Sequence, residues 1–332
     1  IGRACPQHPR PLPDQVVELT TAIPQNASVS GTDGFAPTGD GNYSWDEETT
    51  GPSITLSYSV NRSGRYHQRP MADHSSTGLQ FVDTADWTIA SVPSNNVWWK
   101  SLRSEPRVSF VRKTTVDGAG IAGDRMVFLG EYTPYSETID GQTMTLVVPE
   151  AASLEPAPAA IFDSMEAAAT GLPDPHVERS LVIAAPTTVN WGPYGLADRS
   201  DTWVRADRQL DRPGNVWLHE FVHLRQDFRT NEETRWIEEG MPEYYAALFT
   251  LQRGAIDFET FADYLDRGSR SRYEDTVLSS PETWATRGNY AKGALVYGTL
   301  DREIRQVTSQ SAATLQLFQS MKEHDDTIDQ TC

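Results

Sequence analysis

The sequence predicts an α+β protein made of two domains. We expect an antiparallel β-sandwich over residues 1–150, followed over residues 151–332 by a small mixed sheet and a mostly helical remainder. Up to residue 150, apolar and polar residues alternate in short runs, as in half-buried strands. Beyond the proline-rich join at residues 149–158, apolar residues recur with the period of amphipathic helices. A chain of 332 residues is long enough to bury two cores.

Alternation and turn residues predict the strands of the N-terminal domain. The run 54–60 alternates strictly between apolar and polar residues. The same pattern recurs at Val108/Phe110, Val127/Leu129 and Met144/Leu146/Val148. Turns such as Asp117-Gly118 and Asp140-Gly141 separate these runs. Residues before Ser53 are rich in Pro, Gly, Asn and Thr, so we expect an irregular segment there.

After the join, the pattern predicts one early helix, two strands and several later helices. Residues 159–170 form a helical pattern that Gly171 ends, and residues 181–185 form a buried strand. A second strand is predicted at residues 202–205. The later helices are predicted at residues 258–267, 281–285 (with Ser280 as cap), 290–305 and 311–322.

Residues 219–223 read His-Glu-Phe-Val-His, the pattern H-E-x-x-H. On a helix that Asn215 can cap, His219 and His223 lie one turn apart on one face, where both can bind one zinc ion. Glu220 lies beside them, where it can take a proton from a water molecule. The alternative is two hydrogen-bonded histidines on a buried helix. Because the flanking residues are mostly apolar, the three polar groups face an interior, and a metal would satisfy them there.

Residues 236–245, Trp-Ile-Glu-Glu-Gly-Met-Pro-Glu-Tyr-Tyr, resemble the third-ligand segment of gluzincin zinc metallopeptidases. These have a thermolysin-like fold, and the resemblance is strongest to the glycyl aminopeptidase and aminopeptidase N families. It implies that Glu239 is the third zinc ligand and that Glu243 orients a ligand histidine. An ordinary solvated acidic pair is the alternative for Glu238 and Glu239. Since Pro242 cannot donate to the carbonyl of Glu238, we expect the helix to begin near Glu239 or to kink there.

One further segment carries the resemblance. Residues 289–296 are similar to an aminopeptidase N stretch whose tyrosine hydrogen-bonds the oxyanion. The resemblance gives this role to Tyr290, and a core tyrosine is the alternative.

Residues 202–205 correspond to the lower edge strand that holds extended substrate. Residues 195–199 stand where relatives carry the amine-binding G-x-M-E-N motif, which is absent here. Asp198 would anchor the amine if this segment is a degenerate version, and a solvated loop is the alternative.

The resemblance implies zinc-dependent hydrolysis of peptide bonds, with a peptide or protein as substrate. The spacing alone indicates only hydrolytic zinc chemistry, and it leaves exopeptidase and endopeptidase action open. A different class of function also stays open: a non-catalytic, zinc-containing binding protein at the cell surface or outside the cell. Glu220 argues against that class, because a purely structural zinc site does not need this carboxylate.

The charge balance excludes one class of partner. A net charge of -18 and a pI of about 4.7 argue against nucleic-acid binding. With 4 Lys against 24 Arg and the acidic residues spread along the chain, the composition resembles that of proteins from halophiles. We therefore expect an acidic surface that is adapted to concentrated salt.

Other features bear on location. The sequence contains no transmembrane stretch, and N-x-[ST] sequons occur at Asn26, Asn42 and Asn61. The two cysteines, Cys5 and Cys332, predict one disulfide between the ends of the chain, with two unrelated thiols as the alternative. We expect an extracellular or cell-surface protein whose signal segment is not part of this chain. Nothing in the sequence indicates its oligomeric state.

Overall fold

The structure is a computed structural model that describes residues 12–24, 27–58, 82–93, 96–102, 113–324 and 326–329. The chain divides into two compact units. The first comprises Ile1–Tyr132 with Val189–Gly192, and the second comprises Thr133–Thr188 with Pro193–Cys332. This division lies about 18 residues before the predicted boundary at residue 150. The difference arises because the strands between residues 132 and 149 pair within the sheet of the second unit.

Antiparallel strands form the first unit. They are β1 (Val16–Ala22), β2 (Ala27–Asp33), β3 (Phe35–Gly39), β4 (Asn42–Trp45), β5 (Ser53–Tyr58), β6 (Val82–Asp83), β7 (Thr88–Ser91), β8 (Asn96–Ser101), β9 (Gly120–Ala122) and β10 (Met126–Leu129). One sheet has the order β3-β4-β1-β8, a second has the order β6-β7-β10-β9, and β2 pairs with β5. Apolar side chains of β1, β3, β5 and β8 line a common cavity.

The predicted strands within the described residues are present, but the irregular segment before Ser53 was a wrong prediction. That segment contains β1 to β4. Its glycines and polar residues belong to exposed strands and tight hairpins, such as the one at Asp40-Gly41, where φ is 50° and 74°. The predicted run at Val108/Phe110 and both cysteines lie outside the described residues.

A mixed sheet forms the base of the second unit. Its strands are β11 (Tyr132–Ile139), β12 (Gln142–Pro149), β13 (Arg179–Ala185), β14 (Gly195–Asp198) and β15 (Asp201–Arg205), in the order β11-β12-β13-β15-β14. β12, β13 and β15 are parallel, and β14 is antiparallel to β15. Residues 132–149, which were assigned from sequence to the β domain, therefore belong to this sheet. The Asp140-Gly141 turn that joins β11 to β12 is confirmed, with φ of 50° and 77°.

The strand at residues 202–205 is β15, but it does not form the edge of the sheet. β14 occupies that position, and β15 lies between β13 and β14. The prediction that residues 202–205 form the edge strand failed because the true edge strand, β14, gives no clear signal in the sequence. It has only four residues, all half-buried, and shows no alternation of apolar and polar residues.

Helices cover most of the rest of the second unit. They are α1 (Pro158–Ala169), α2 (Val216–His223), α3 (Trp236–Gln252), α4 (Phe258–Asp266), α5 (Gly288–Val307) and α6 (Thr314–Glu323), and the short strands β16 (Arg229–Thr230) and β17 (Thr327–Ile328) pair with each other. α3 begins at Trp236 and runs through Pro242, so a start near Glu239 was wrong. The helix expected at residues 281–285 is a single 3₁₀ turn, Pro281–Thr283, which the Ser280 side chain does not cap.

Aromatic and aliphatic side chains from α1, α2, α3 and β12 to β15 form the core of this unit. The centre of α2 lies inside that core, with residues 217–222 all buried. Within the described part of the chain, no helix is long and apolar enough to cross a membrane.

Candidate metal centre

The local sequence of α2 directs its polar face toward the interior. Asn215 caps the helix, because its Oδ1 accepts a hydrogen bond from the backbone N–H of Leu218 at 3.3 Å. Trp217 and Phe221 are fully buried in the surrounding core. Their packing fixes the rotation of the helix, so the remaining stripe faces α3 rather than water.

His219, His223 and Glu239 converge, as predicted. The Nε2 atoms of the two histidines are 3.2 Å apart. Oε2 of Glu239 lies 3.2 Å from Nε2 of His219 and 3.4 Å from Nε2 of His223. Among the described residues, these three form the group of His, Cys, Asp or Glu side chains that could hold a metal ion.

A polar group lies behind each imidazole, on the side away from the centre. Nδ1 of His219 lies 3.2 Å from Oε2 of Glu243, and a carboxylate oxygen only accepts hydrogen bonds. Nδ1 of His223 lies 2.6 Å from Oε1 of Gln226. In a neutral His223, Nδ1 therefore carries the proton and Nε2 is bare. Carboxylate oxygens face both nitrogens of His219, with Oε2 of Glu239 lying 3.2 Å from Nε2. If both imidazoles turn a bare Nε2 toward Glu239, they repel its carboxylate unless a cation lies between them.

The pKa values of His219 and Glu239 also show that this site favours positive charge. Burial opposes a charged imidazole, yet the hydrogen bonds to Glu239 and Glu243 raise the pKa of His219 to about 10. Burial likewise opposes a charged carboxylate, but the two histidines hold the pKa of Glu239 far below its ordinary value. Without a metal, a proton supplies the positive charge, so a metal ion must displace that proton.

The three side chains fit zinc. Zinc takes histidine nitrogen and carboxylate oxygen ligands at about 2.0–2.2 Å in a tetrahedral arrangement, which corresponds to ligand separations of about 3.3 Å. The observed separations of 3.2 to 3.4 Å agree with that value. Two histidines and one glutamate leave the fourth position of a tetrahedron free for water or substrate.

A close helix crossing brings Tyr290 to the same centre. α3 and α5 touch at Gly240 and Gly293, where a Cβ on Gly240 would lie 2.8 Å from Cα of Gly293. Because both positions lack a side chain, the backbones meet directly, and Tyr290 comes beside Glu239. The Tyr290 ring stacks on His219 with centroids 5.8 Å apart, and its hydroxyl hydrogen-bonds Glu239. Burial raises the pKa of Tyr290, so the hydroxyl stays protonated and can donate.

Glu243 lies directly behind His219, where the resemblance requires a carboxylate. Its Oε1 accepts a hydrogen bond from the Tyr264 hydroxyl at 2.5 Å, and Arg267 and Arg287 approach it to 3.5 and 3.8 Å. Burial alone would raise the pKa of Glu243, but the hydrogen bond from His219 and the nearby charges lower it to about 2. Sequence reasoning missed these three supporting residues, and no local motif marks them.

Glu220 is buried against the edge strand β14. It accepts a hydrogen bond from the backbone N–H of Ala197, and a Cβ on Gly195 would lie 2.5 Å from its Oε1. Glycine at 195 therefore provides the space that the carboxylate occupies. Burial raises the pKa of Glu220, which makes it a stronger base. Asp198, the proposed amine anchor, is the last residue of the same strand.

Comparisons with solved structures give the same architecture. An aminopeptidase N family protein from Idiomarina loihiensis matches 95% of this chain with a TM-score of 0.51 and 15% identity. An M1 zinc metallopeptidase from Deinococcus radiodurans matches 97% with a TM-score of 0.54 and 13% identity, and a variant described as bound to a Tyr-Ser-Ala substrate matches equally well. At these identities the likeness shows the fold, and the predicted α+β architecture is confirmed.

The chain spans 64% of the Idiomarina protein and 81% of the Deinococcus protein. Comparison with known family profiles gives no match, and neither does comparison with curated protein sequences. The likeness to M1 zinc metallopeptidases shows the fold, and among the described residues the His219/His223/Glu239 group could hold a metal ion.

Proposed function

We propose that this protein is a zinc-dependent peptidase, in which His219, His223 and Glu239 hold the metal and Glu220 is the general base. One observation carries the proposal: a nitrogen of His219, a nitrogen of His223 and an oxygen of Glu239 converge at the separations expected of three zinc ligands. The resemblance of three sequence segments to gluzincins supports it, as does the similarity of the fold to M1 zinc metallopeptidases.

Each residue has a separate task in the proposed reaction. Zinc, when bound, lowers the pKa of a water ligand to about 7 and polarises a carbonyl group. Glu220 takes a proton from the attacking water and transfers it to the nitrogen of the leaving amine as the C–N bond breaks. Tyr290 donates a hydrogen bond to the carbonyl oxygen, where negative charge develops during the attack. Glu243 holds His219 in the orientation that directs Nε2 to the metal.

We propose that an extended peptide binds along β14 by strand addition. β14 is the last strand in the sheet order and lies against Glu220. In an aminopeptidase, Asp198 would bind the free amine; in an endopeptidase, that contact is dispensable. Asp198→Asn separates the two, because it should raise the KM for a peptide with a free amine and leave the N-acetylated peptide unaffected. Equal effects on both peptides would remove Asp198 as an amine anchor.

The proposed activity is tested with metal analysis and a peptide library. The purified protein should contain one equivalent of zinc, and Glu239→Ala should deplete it. The wild type should cleave library peptides in molar salt, and a chelator should stop the cleavage. Full zinc occupancy in Glu239→Ala would remove Glu239 as a ligand. A zinc-loaded wild type that cleaves nothing would favour the non-catalytic binding protein instead.

We also propose an extracellular or cell-surface location. The sequons and the two cysteines support this proposal. Intact-mass analysis before and after reduction tests whether Cys5 and Cys332 form a disulfide in the protein from its native source. Two free thiols in that protein would remove the main argument for an oxidising compartment.

A further inference from the structure

The two histidines of the metal centre are held by partners of different kinds. His219 faces a buried carboxylate, Glu243, whereas His223 faces a neutral amide, Gln226, three residues beyond it on the turn that follows α2. At 2.6 Å, the contact between Nδ1 of His223 and Oε1 of Gln226 is a short hydrogen bond.

The second contact of Gln226 fixes the direction of this hydrogen bond. Nε2 of Gln226 donates to the backbone carbonyl of Glu238 at 3.3 Å. A carbonyl oxygen only accepts, so the NH₂ group must face Glu238 and Oε1 must face His223. Nδ1 of His223 is therefore the donor whether the imidazole is neutral or protonated, and the lone pair available to a metal is on Nε2.

The carbonyl of Glu238 is free for this contact because of Pro242. In a regular helix this carbonyl would accept from the N–H four residues later, at position 242, and proline has none. The proline inside α3 therefore leaves an unused acceptor one residue before the metal ligand Glu239. The amide of Gln226 takes the place of the missing helical donor.

We propose that Gln226 and Pro242 act together as a positioning device for the metal centre. Pro242 exposes the carbonyl, Gln226 binds it, and the same amide orients His223. The device ties the helix that carries His223 to the helix that carries Glu239. This inference rests on the proposed function only in taking these residues as metal ligands.

The first test measures zinc affinity rather than activity. Gln226→Met keeps the length of the side chain and removes both hydrogen bonds. Competition with a chelator at constant pH should show zinc binding weakened by about 10- to 100-fold, as when other groups that orient metal-ligating histidines are removed. The matched control is Thr230→Val, which removes the 2.5 Å bond to the Glu238 side chain and leaves the carbonyl contact. Its zinc affinity should stay near that of the wild type.

A spectroscopic readout separates positioning from a general loss of stability. In wild-type protein, with or without zinc, the Nδ1 proton of His223 should give a protected imidazole N–H resonance in NMR spectra. It should exchange rapidly in Gln226→Met and remain protected in Thr230→Val. Wild-type zinc affinity together with a protected resonance in Gln226→Met would overturn the proposal.

A second variant keeps the proposal testable if Gln226→Met does not fold. Pro242→Ala returns an N–H to the helix, which competes with Gln226 for the Glu238 carbonyl. It should speed exchange of the His223 Nδ1 proton and weaken zinc binding by less than Gln226→Met does. Unchanged exchange and unchanged affinity in Pro242→Ala would also overturn the proposal. A protein that binds zinc as expected but cleaves no peptide would defeat only the proposed function.

Discussion

Two buried polar clusters involve the same pair of helices, α3 and α5, and they differ in the groups that meet in them. In one, the Asp301 carboxylate accepts hydrogen bonds from the Tyr244 hydroxyl at 2.8 Å and Arg305 at 2.7 Å. It also accepts from the backbone N–H and hydroxyl of Thr314, at 2.8 and 2.9 Å. In the other, the Nε2 atoms of His219 and His223 and a carboxylate oxygen of Glu239 face one another.

The difference distinguishes a structural cluster from the proposed metal centre. The protein's own donors surround Asp301, so this carboxylate joins α3, α5 and the start of α6 without any further group. The candidate metal centre needs a positive charge between its residues, which a metal ion would supply, although these residues are equally well positioned. Acceptors behind the histidines, Oε1 of Gln226 for example, orient the imidazoles without adding positive charge to the centre.

Glu220→Gln should produce the largest effect. A neutral amide cannot take the proton, so kcat should fall by about 10²- to 10⁴-fold. Because Glu220 is not a ligand in the proposed site, zinc content and melting temperature should stay close to wild type. The measurement is kcat on a cleaved peptide, with zinc quantified in the same samples. Cleavage at the wild-type rate with zinc bound would show that another group is the base.

Asp301→Asn should affect stability instead of chemistry. It weakens the hydrogen bonds to Arg305 and Thr314 inside a buried cluster, so the free energy of unfolding should fall by about 2–4 kcal/mol. Zinc affinity per folded molecule should not change. Denaturant unfolding of the zinc-loaded protein measures the first quantity, and chelator competition measures the second. A large loss of zinc affinity in folded protein would show that the two clusters are coupled.

The same variant has a defined pH dependence. Burial opposes the charge of Asp301, but the bond from Arg305 and those from Thr314 and Tyr244 outweigh it and lower the pKa below 3.8. A group with a depressed folded pKa stabilises the fold above its unfolded pKa and loses that contribution as pH falls through the folded pKa. The stability difference between wild type and Asp301→Asn should therefore be constant near neutral pH and shrink below about pH 4.

Tyr290→Phe should reduce turnover by about 10²-fold, because it removes one donor to the developing oxyanion. The ring that stacks on His219 is kept, so zinc content should not change. The KM should also change little, since the missing bond strengthens mainly in the transition state. A proportional rise in KM at constant kcat would instead make Tyr290 a residue that binds the ground state of the substrate.

Gly195→Ala should lower kcat by about tenfold or more, which corresponds to about 1.4 kcal/mol. The new methyl group would lie 2.5 Å from Oε1 of Glu220, and the flexible carboxylate is the group that must move. Gly31→Ala in β2 is the matched control, because its nearest side-chain atoms lie at 3.8 Å. Both variants should fold and bind zinc. Equal kcat values for the two would mean that Glu220 tolerates displacement.

Sequence alone predicted the residues of the candidate metal centre better than the residues that support them. The reason is the distance along the chain between the groups that meet. His219, Glu220 and His223 are adjacent on one helix, so their mutual position follows from helix periodicity. Gly195 and Gln226 act through contacts that only the folded chain creates, one across a sheet edge and one with a carbonyl that a proline leaves free. Likewise, the alternation at Met144, Leu146 and Val148 predicted the strand β12, but alternation does not say which sheet a strand joins.

Salt should produce the smallest effect, through the surface and not through either buried cluster. At a net charge of -18, repulsion between exposed carboxylates opposes folding, and ions screen it. The Debye length falls from about 10 Å at 0.1 M to about 3 Å at 1 M, so most of the screening is complete well before molar salt. We expect the melting temperature to rise steeply with NaCl at first and then to level off. A linear rise with no plateau would indicate exclusion of the solute from the protein surface, and a flat curve would refute the adaptation to salt. Asp301→Asn should follow a curve of the same shape displaced to lower temperature, because the charges that salt screens lie outside its cluster.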